Sequence, residues 1–293
     1  MGSGQSTSGR GPGEWVRAAD LVLIAAVPAV LLAVFALPVA TRESLVFEYA
    51  APSLRTAVAA PFVHFDRGHL AFNLAGYALV VPTTYLLSAA CGCQRRFRVV
   101  LVSLVVSTPA LLSYLNLAVA RDGVGFGFSG VLMALYGYLP LALADHLETR
   151  LDVGRTRTVA PLFFFSGLTV ITALTLWLAA RNPVSVPVRG IVVPVGTVLV
   201  ASLAGLVVAL VLVVALYGLS LHDRPTDLRT RLRAAFARPG QFELAVAGVV
   251  LFAAVPFATF PLDPVVGGGV VNLYVHVLGY ALGFIAVYLY WLL

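Results

Sequence analysis

Apolar residues run along this chain in eight long stretches, at roughly 20–40, 69–90, 99–120, 129–146, 160–180, 195–220, 243–262 and 271–293. Each holds about 18 to 26 residues, and about 20 helical residues cross a hydrocarbon core of about 30 Å. The pattern predicts an all-α polytopic membrane protein, a helical bundle with about eight transmembrane helices. Ahead of the first stretch, residues 1–15 (MGSGQSTSGRGPGEW) are rich in Gly and Ser. Residues 1–18 are therefore expected to be a disordered cytosolic tail, and 19–293 the membrane domain. The first stretch exceeds the apolar core of a secretory signal and is expected to stay as a helix. Small residues around Pro38, Val39 and Ala40 keep cleavage open as the alternative.

Composition removes the soluble classes. The chain is 60% hydrophobic and 11% charged, against roughly 25% charged in an ordinary soluble domain. The net charge of +6 comes wholly from arginine, and in such a chain it reads as a topology signal rather than a nucleic-acid footprint. With a cytosolic N-terminus, the inner loops hold Arg10, Arg17, Arg95, Arg96, Arg98, Arg150, Arg155, Arg157, Arg224, Arg229, Arg231, Arg233 and Arg238. The outer loops hold only Arg42, Arg55, Arg67, Arg121, Arg181 and Arg189. That bias predicts a multi-pass protein of the cell membrane with both termini in the cytosol. Leu228, Leu232 and Phe236 recur among the arginines of 221–242, which fits either a basic helix on an anionic leaflet or a solvated charged loop. Cys91 and Cys93 are the only cysteines. They lack the further ligands of a structural zinc site and read as free thiols.

Polar groups inside apolar stretches are costly and are the place to look for function. Three clusters stand out. The second stretch opens with His64, His69 and Asn73, of which the last two, four apart, share a helix face. The fourth opens with Gly127, Phe128, Ser129 and Gly130, and the eighth carries His276, Gly279 and Gly283. All three stretches would descend from the outer side, which puts Ser129, His276, His69 and Asn73 at similar depth. A serine hydroxyl becomes a nucleophile when a base takes its proton, and neutral histidine suits that role. The Ser129 N–H, the Asn73 amide and the His69 ring could donate to an oxyanion. Gly127 and Gly130 would allow a sharp turn, and Gly279 and Gly283 close helix packing. No acidic residue lies within the second, fourth or eighth stretch near its outer end, so a dyad is expected rather than a triad. The bland alternatives are a histidine that bonds only to a neighbouring helix, glycines that serve packing alone, and His64 as an ordinary loop residue.

At these residues the sequence resembles the rhomboid intramembrane serine proteases. The resemblance rests on His64-x4-His69-x3-Asn73, on Gly127-Phe128-Ser129-Gly130 extended through Ala134-Leu135-Tyr136-Gly137-Tyr138, and on His276-x2-Gly279-x3-Gly283. It covers roughly 60–140 and 263–293. It implies a rhomboid-like bundle with Ser129 as nucleophile and His276 as general base. His69, Asn73 and the Ser129 backbone would form the oxyanion hole, with no metal or cofactor. Substrates would be transmembrane segments of other proteins, cut near the outer face beside a small residue and helix-destabilising residues. The Asp263–Gly269 loop (DPVVGGG) would take the place of a flexible cap. Two features depart from the pattern. Three stretches separate the serine and histidine helices where the family core has one, and Met133 stands where a tyrosine often stacks on the histidine. A catalytically inactive relative that binds transmembrane clients is the alternative, and a transporter a more distant one.

Overall fold

The structure, a computed structural model, describes residues 16–119, 123–181, 186–188, 191–193, 195–222, 236, 238, 240–260, 265–266, 269–270 and 272–292. Of the tail expected over 1–18, residues 1–15 lie outside these residues, whereas the Arg17 N–H donates to Tyr85 Oη at 3.1 Å and Ala18 begins the first helix. Leu228 and Leu232 of the basic segment and most of the Asp263–Gly269 loop also lie outside them. The helices run in the order α1 (Ala18–Phe35), α2 (Val39–Glu43), α3 (Leu54–Ala59), α4 (Arg67–Ala90) and α5 (Gln94–Leu115). They continue with α6 (Ser129–Leu151), α7 (Thr156–Arg181), α8 (Val195–His222), α9 (Gln241–Thr259) and α10 (Leu273–Leu292). Eight of these are long and apolar enough to cross a membrane. The protein is an all-α polytopic membrane protein, as the apolar stretches predict.

Among the described residues, strands form three two-stranded antiparallel pairs in the connections. β1 (Phe47–Glu48) pairs with β2 (Val124–Gly125), β3 (Val186–Val188) with β4 (Ile191–Val193), and β5 (Val265–Val266) with β6 (Gly269–Val270). The first pair matters most, because it ties the α2–α3 connection to the segment leading into α6, with Phe47 opposite Gly125.

α6 is the centre of the bundle and packs against α4, α5, α7, α9 and α10. Its most apolar window is 94% buried, yet its mean hydropathy is only 1.3. α8 is the reverse, with mean hydropathy 3.0 and 6% buried, and it packs chiefly on α7. The contrast is physical: a lipid-facing helix must be apolar all round, whereas an enclosed one can carry polar groups that its neighbours satisfy. Tyr136 Oη donates to the Phe252 carbonyl at 2.6 Å, and Tyr280 Oη to the Phe164 carbonyl at 3.1 Å. These bonds fasten α6 to α9 and α10 to α7. Around them the rings of Tyr136 and Tyr280 stack at 5.1 Å, and those of Phe164 and Phe284 at 4.1 Å.

At the opposite end of the bundle from Ser129, helix boundaries differ from the apolar stretches. α5 begins at Gln94, so Arg95, Arg96 and Arg98 lie within its first turns and not in a loop. The reason is pairing. Arg98 Nη1 donates to the fully buried Asp20 at 2.9 Å, Asp20 also accepts from Tyr85 Oη at 2.9 Å, and Arg96 pairs with Asp145. Charges with partners of this kind can be carried inside a helix that a hydropathy window would end.

Candidate functional site

Ser129 is the first residue of α6, so its backbone N–H is one that the helix ladder leaves unused. The turn that delivers it depends on Gly127, whose φ of +100° is open to glycine and strained for other residues. A Cβ there would also come within 2.7 Å of His69 Cε1. The Gly127 N–H donates to the Ala60 carbonyl at 3.1 Å, anchoring the turn against the segment before α4.

His276 reaches the same level through close helix packing. A Cβ on Gly279 would collide with the Gly130 carbonyl oxygen, one on Gly283 with the backbone of Ala134, and one on Gly130 with Val275. Gly137 in turn lies against the backbone of α10, 2.7 Å from Phe284 N if it carried a Cβ. The paired positions rise together along both helices, so α6 and α10 are parallel and in backbone contact. Ser129 is next to Gly130, and His276 is next to Val275, which touches it. Both residues therefore lie at the level of one helix crossing. Ser129 is half-buried and His276 buried. No hydrogen bond joins Ser129 Oγ to the His276 ring among the described residues.

The His276 ring is oriented from α9. Its Nδ1 lies 2.9 Å from the Thr259 carbonyl oxygen. A carbonyl only accepts, so Nδ1 carries the proton and Nε2 is left as the acceptor, the form a general base needs. Phe260 meets the ring edge-on at 5.7 Å and 85°. Met133 is fully buried, with its Cβ against Gly279. The aromatic neighbour of the histidine thus comes from the end of α9 and not from the position four residues after the serine.

The third cluster gathers beside them. His69 stands against Gly127, two residues before Ser129, where a Cβ would meet its ring. Asn73 is fully buried. Its Nδ2 donates to His64 Nε2 at 3.0 Å and to the His69 carbonyl at 3.1 Å. Both amide hydrogens are engaged, so a bond from Asn73 to an oxyanion requires one of them to be exchanged. His64 is no ordinary loop residue. It is fully buried, its ring packs edge-on to His69 at 4.9 Å, and its Nε2 faces the Phe128 N–H at 3.5 Å. Burial, aided by the nearby His69 and opposed by the Phe62 backbone, lowers the His64 pKa from 6.5 to about 4.

Of the residues expected at the site, Gly127, His64, His69 and Asn73 come together in one cluster, and Gly130, Gly279 and Gly283 line the α6–α10 crossing beside which Ser129 and His276 stand in sequence. Sequence reasoning missed Thr259 and Phe260, which approach His276 by packing from another helix. It also missed Asn272, which accepts from the Val275 N–H at 3.3 Å and donates to Asn116 Oδ1 at 3.0 Å, tying the start of α10 to the end of α5. An Asn just ahead of an apolar run is a helix-start signal that could have identified it.

No protein-family model, curated protein or solved structure matches this chain.

Proposed function

We propose that this chain is an intramembrane serine endopeptidase of rhomboid-like type that cuts transmembrane segments of other membrane proteins. The observation that supports it best is the parallel α6–α10 crossing, with Ser129 and His276 at its level and the His276 ring committed through Nδ1 to Thr259. In this reading the His276 Nε2 takes the Ser129 hydroxyl proton as Oγ attacks the scissile carbonyl carbon. The oxyanion forms beside the unused Ser129 N–H and the His69 ring, with Asn73 as a further donor. The protonated imidazole then gives its proton to the leaving amine, and water hydrolyses the acyl-enzyme by the same steps. The bond between Oγ and Nε2 forms as substrate closes the site, since catalytic contacts are often loose without it.

The arginine bias supports a multi-pass placement in the cell membrane with both termini cytosolic, and so a cut near the outer face. A client-binding protein without cleavage is the second reading. What favours it is the lack of a Ser129–His276 hydrogen bond. Reconstitution into vesicles with a transmembrane substrate carrying small and helix-destabilising residues near its outer end separates the two. Cleavage by the wild type that is lost in Ser129→Ala supports the protease. Association without cleavage supports the binding protein.

A further inference from the structure

We propose that Arg42 is a positioning residue for the oxyanion donors, acting through His64; the inference rests on the protease reading above. Arg42 sits on the short helix α2 and is only 8% exposed. The ion pairs among the described residues are Arg96–Asp145 and Arg98–Asp20, so no carboxylate holds Arg42. Its guanidinium lies instead over the rings of Phe35 at 4.9 Å and Phe65 at 5.5 Å. Its Nη1 donates to the His64 carbonyl at 2.5 Å, and its buried Nε has no partner. A buried cation with aromatic faces and one carbonyl is a costly arrangement for stability alone.

What that single bond fixes is the hub of the site. The His64 backbone stands in the link before α4, and its ring touches three groups at once. It accepts from the Asn73 amide, faces the N–H of Phe128 next to the nucleophile, and packs against the His69 ring. Clamping the His64 carbonyl therefore sets where Asn73 and His69 stand relative to Ser129. Arg42 touches neither substrate nor reacting atoms. Its effect is on geometry, and a misplacement of about 1 Å at a site of this kind can cost about a hundredfold in rate.

The test uses the full chain in vesicles with a transmembrane substrate, and a fluorophosphonate to count active serines. Arg42→Met keeps the apolar stem and loses the donor; Arg42→Lys keeps a charge and one donor. The inference predicts that kcat per labelled serine falls by about tenfold or more in Arg42→Met while KM changes by less than about twofold. It predicts partial recovery in Arg42→Lys. An unchanged kcat per labelled serine, with only fewer labelled molecules, would overturn it and leave Arg42 a folding residue. A rise in KM alone would also overturn it. A wild-type chain that neither cleaves nor labels would overturn the protease reading itself, and this inference with it.

Discussion

Gly130 and Gly279 meet across the α6–α10 crossing with no side chain between them. The Cα of Gly279 rests against the Gly130 carbonyl, and a Cβ there would also stand 3.1 Å from Met133 Cβ. Backbone atoms cannot retreat as a flexible side chain can, so Gly279→Ala or Gly283→Ala must push the helices apart. Overpacking of this kind costs about 1–3 kcal/mol. The expected outcome is a lowered unfolding midpoint together with lost activity. Gly205 has nothing within 4 Å, so Gly205→Ala serves as the control and should leave both unchanged or raise the midpoint slightly. Equal behaviour of the two variants would show that the crossing is loose.

The Phe260–His276 contact leads to a second expectation. Phe260→Ala removes the ring that borders the imidazole while leaving the Thr259 carbonyl in place. It should lower kcat by about tenfold or less, because orientation is weakened and the proton-holding bond is kept. Met133→Tyr should not raise cleavage. Met133 is fully buried against Gly279, and a larger ring there overpacks the crossing. A gain of activity in Met133→Tyr would contradict the assignment of the aromatic role to Phe260.

His64 makes stability depend on pH in a definite direction. Its pKa is lowered from 6.5 to about 4, so between these values the unfolded chain binds a proton that the folded one refuses. Stability is therefore full above about pH 6.5 and falls as pH drops towards about 4, by up to roughly 3 kcal/mol. Unfolding midpoints measured across this range should show the slope in the wild type and a shallower one in His64→Gln. Parallel curves would remove His64 as its source.

Asn272 caps α10 and joins it to Asn116. Asn272→Ala should cost about 1 kcal/mol as a lost cap, and should reduce cleavage by loosening the start of the histidine helix. Asn272→Asp keeps the acceptor for the Val275 N–H and loses the donor to Asn116. Its stability should lie between the two, as read from unfolding midpoints.

The spans were legible, and the candidate site residues could be picked out, because each depends on local pattern. Twenty apolar residues announce a span, and Ser129, His276, His69 and Asn73 are polar where lipid is expected. The partners that orient them were not legible. Thr259 acts through its carbonyl, which no side-chain pattern marks, and Phe260 is one apolar residue among many in its stretch. Arg42 reads as an outer-loop charge until the fold buries it. The central place of α6 was hidden for a related reason: its mean hydropathy of 1.3 is the lowest of the eight spans. Read as lipid exclusion rather than weak membrane preference, that same number would have pointed to the centre.

The central claim is that His276 activates Ser129 as a nucleophile. It is tested most directly by fluorophosphonate labelling of the bilayer-embedded protein, with the modified residue located by peptide mass. The account predicts a label on Ser129 in the wild type, its loss in His276→Ala, and no label in Ser129→Ala. A Ser129 that labels as fast without His276, or a label elsewhere while Ser129 stays free, would contradict it.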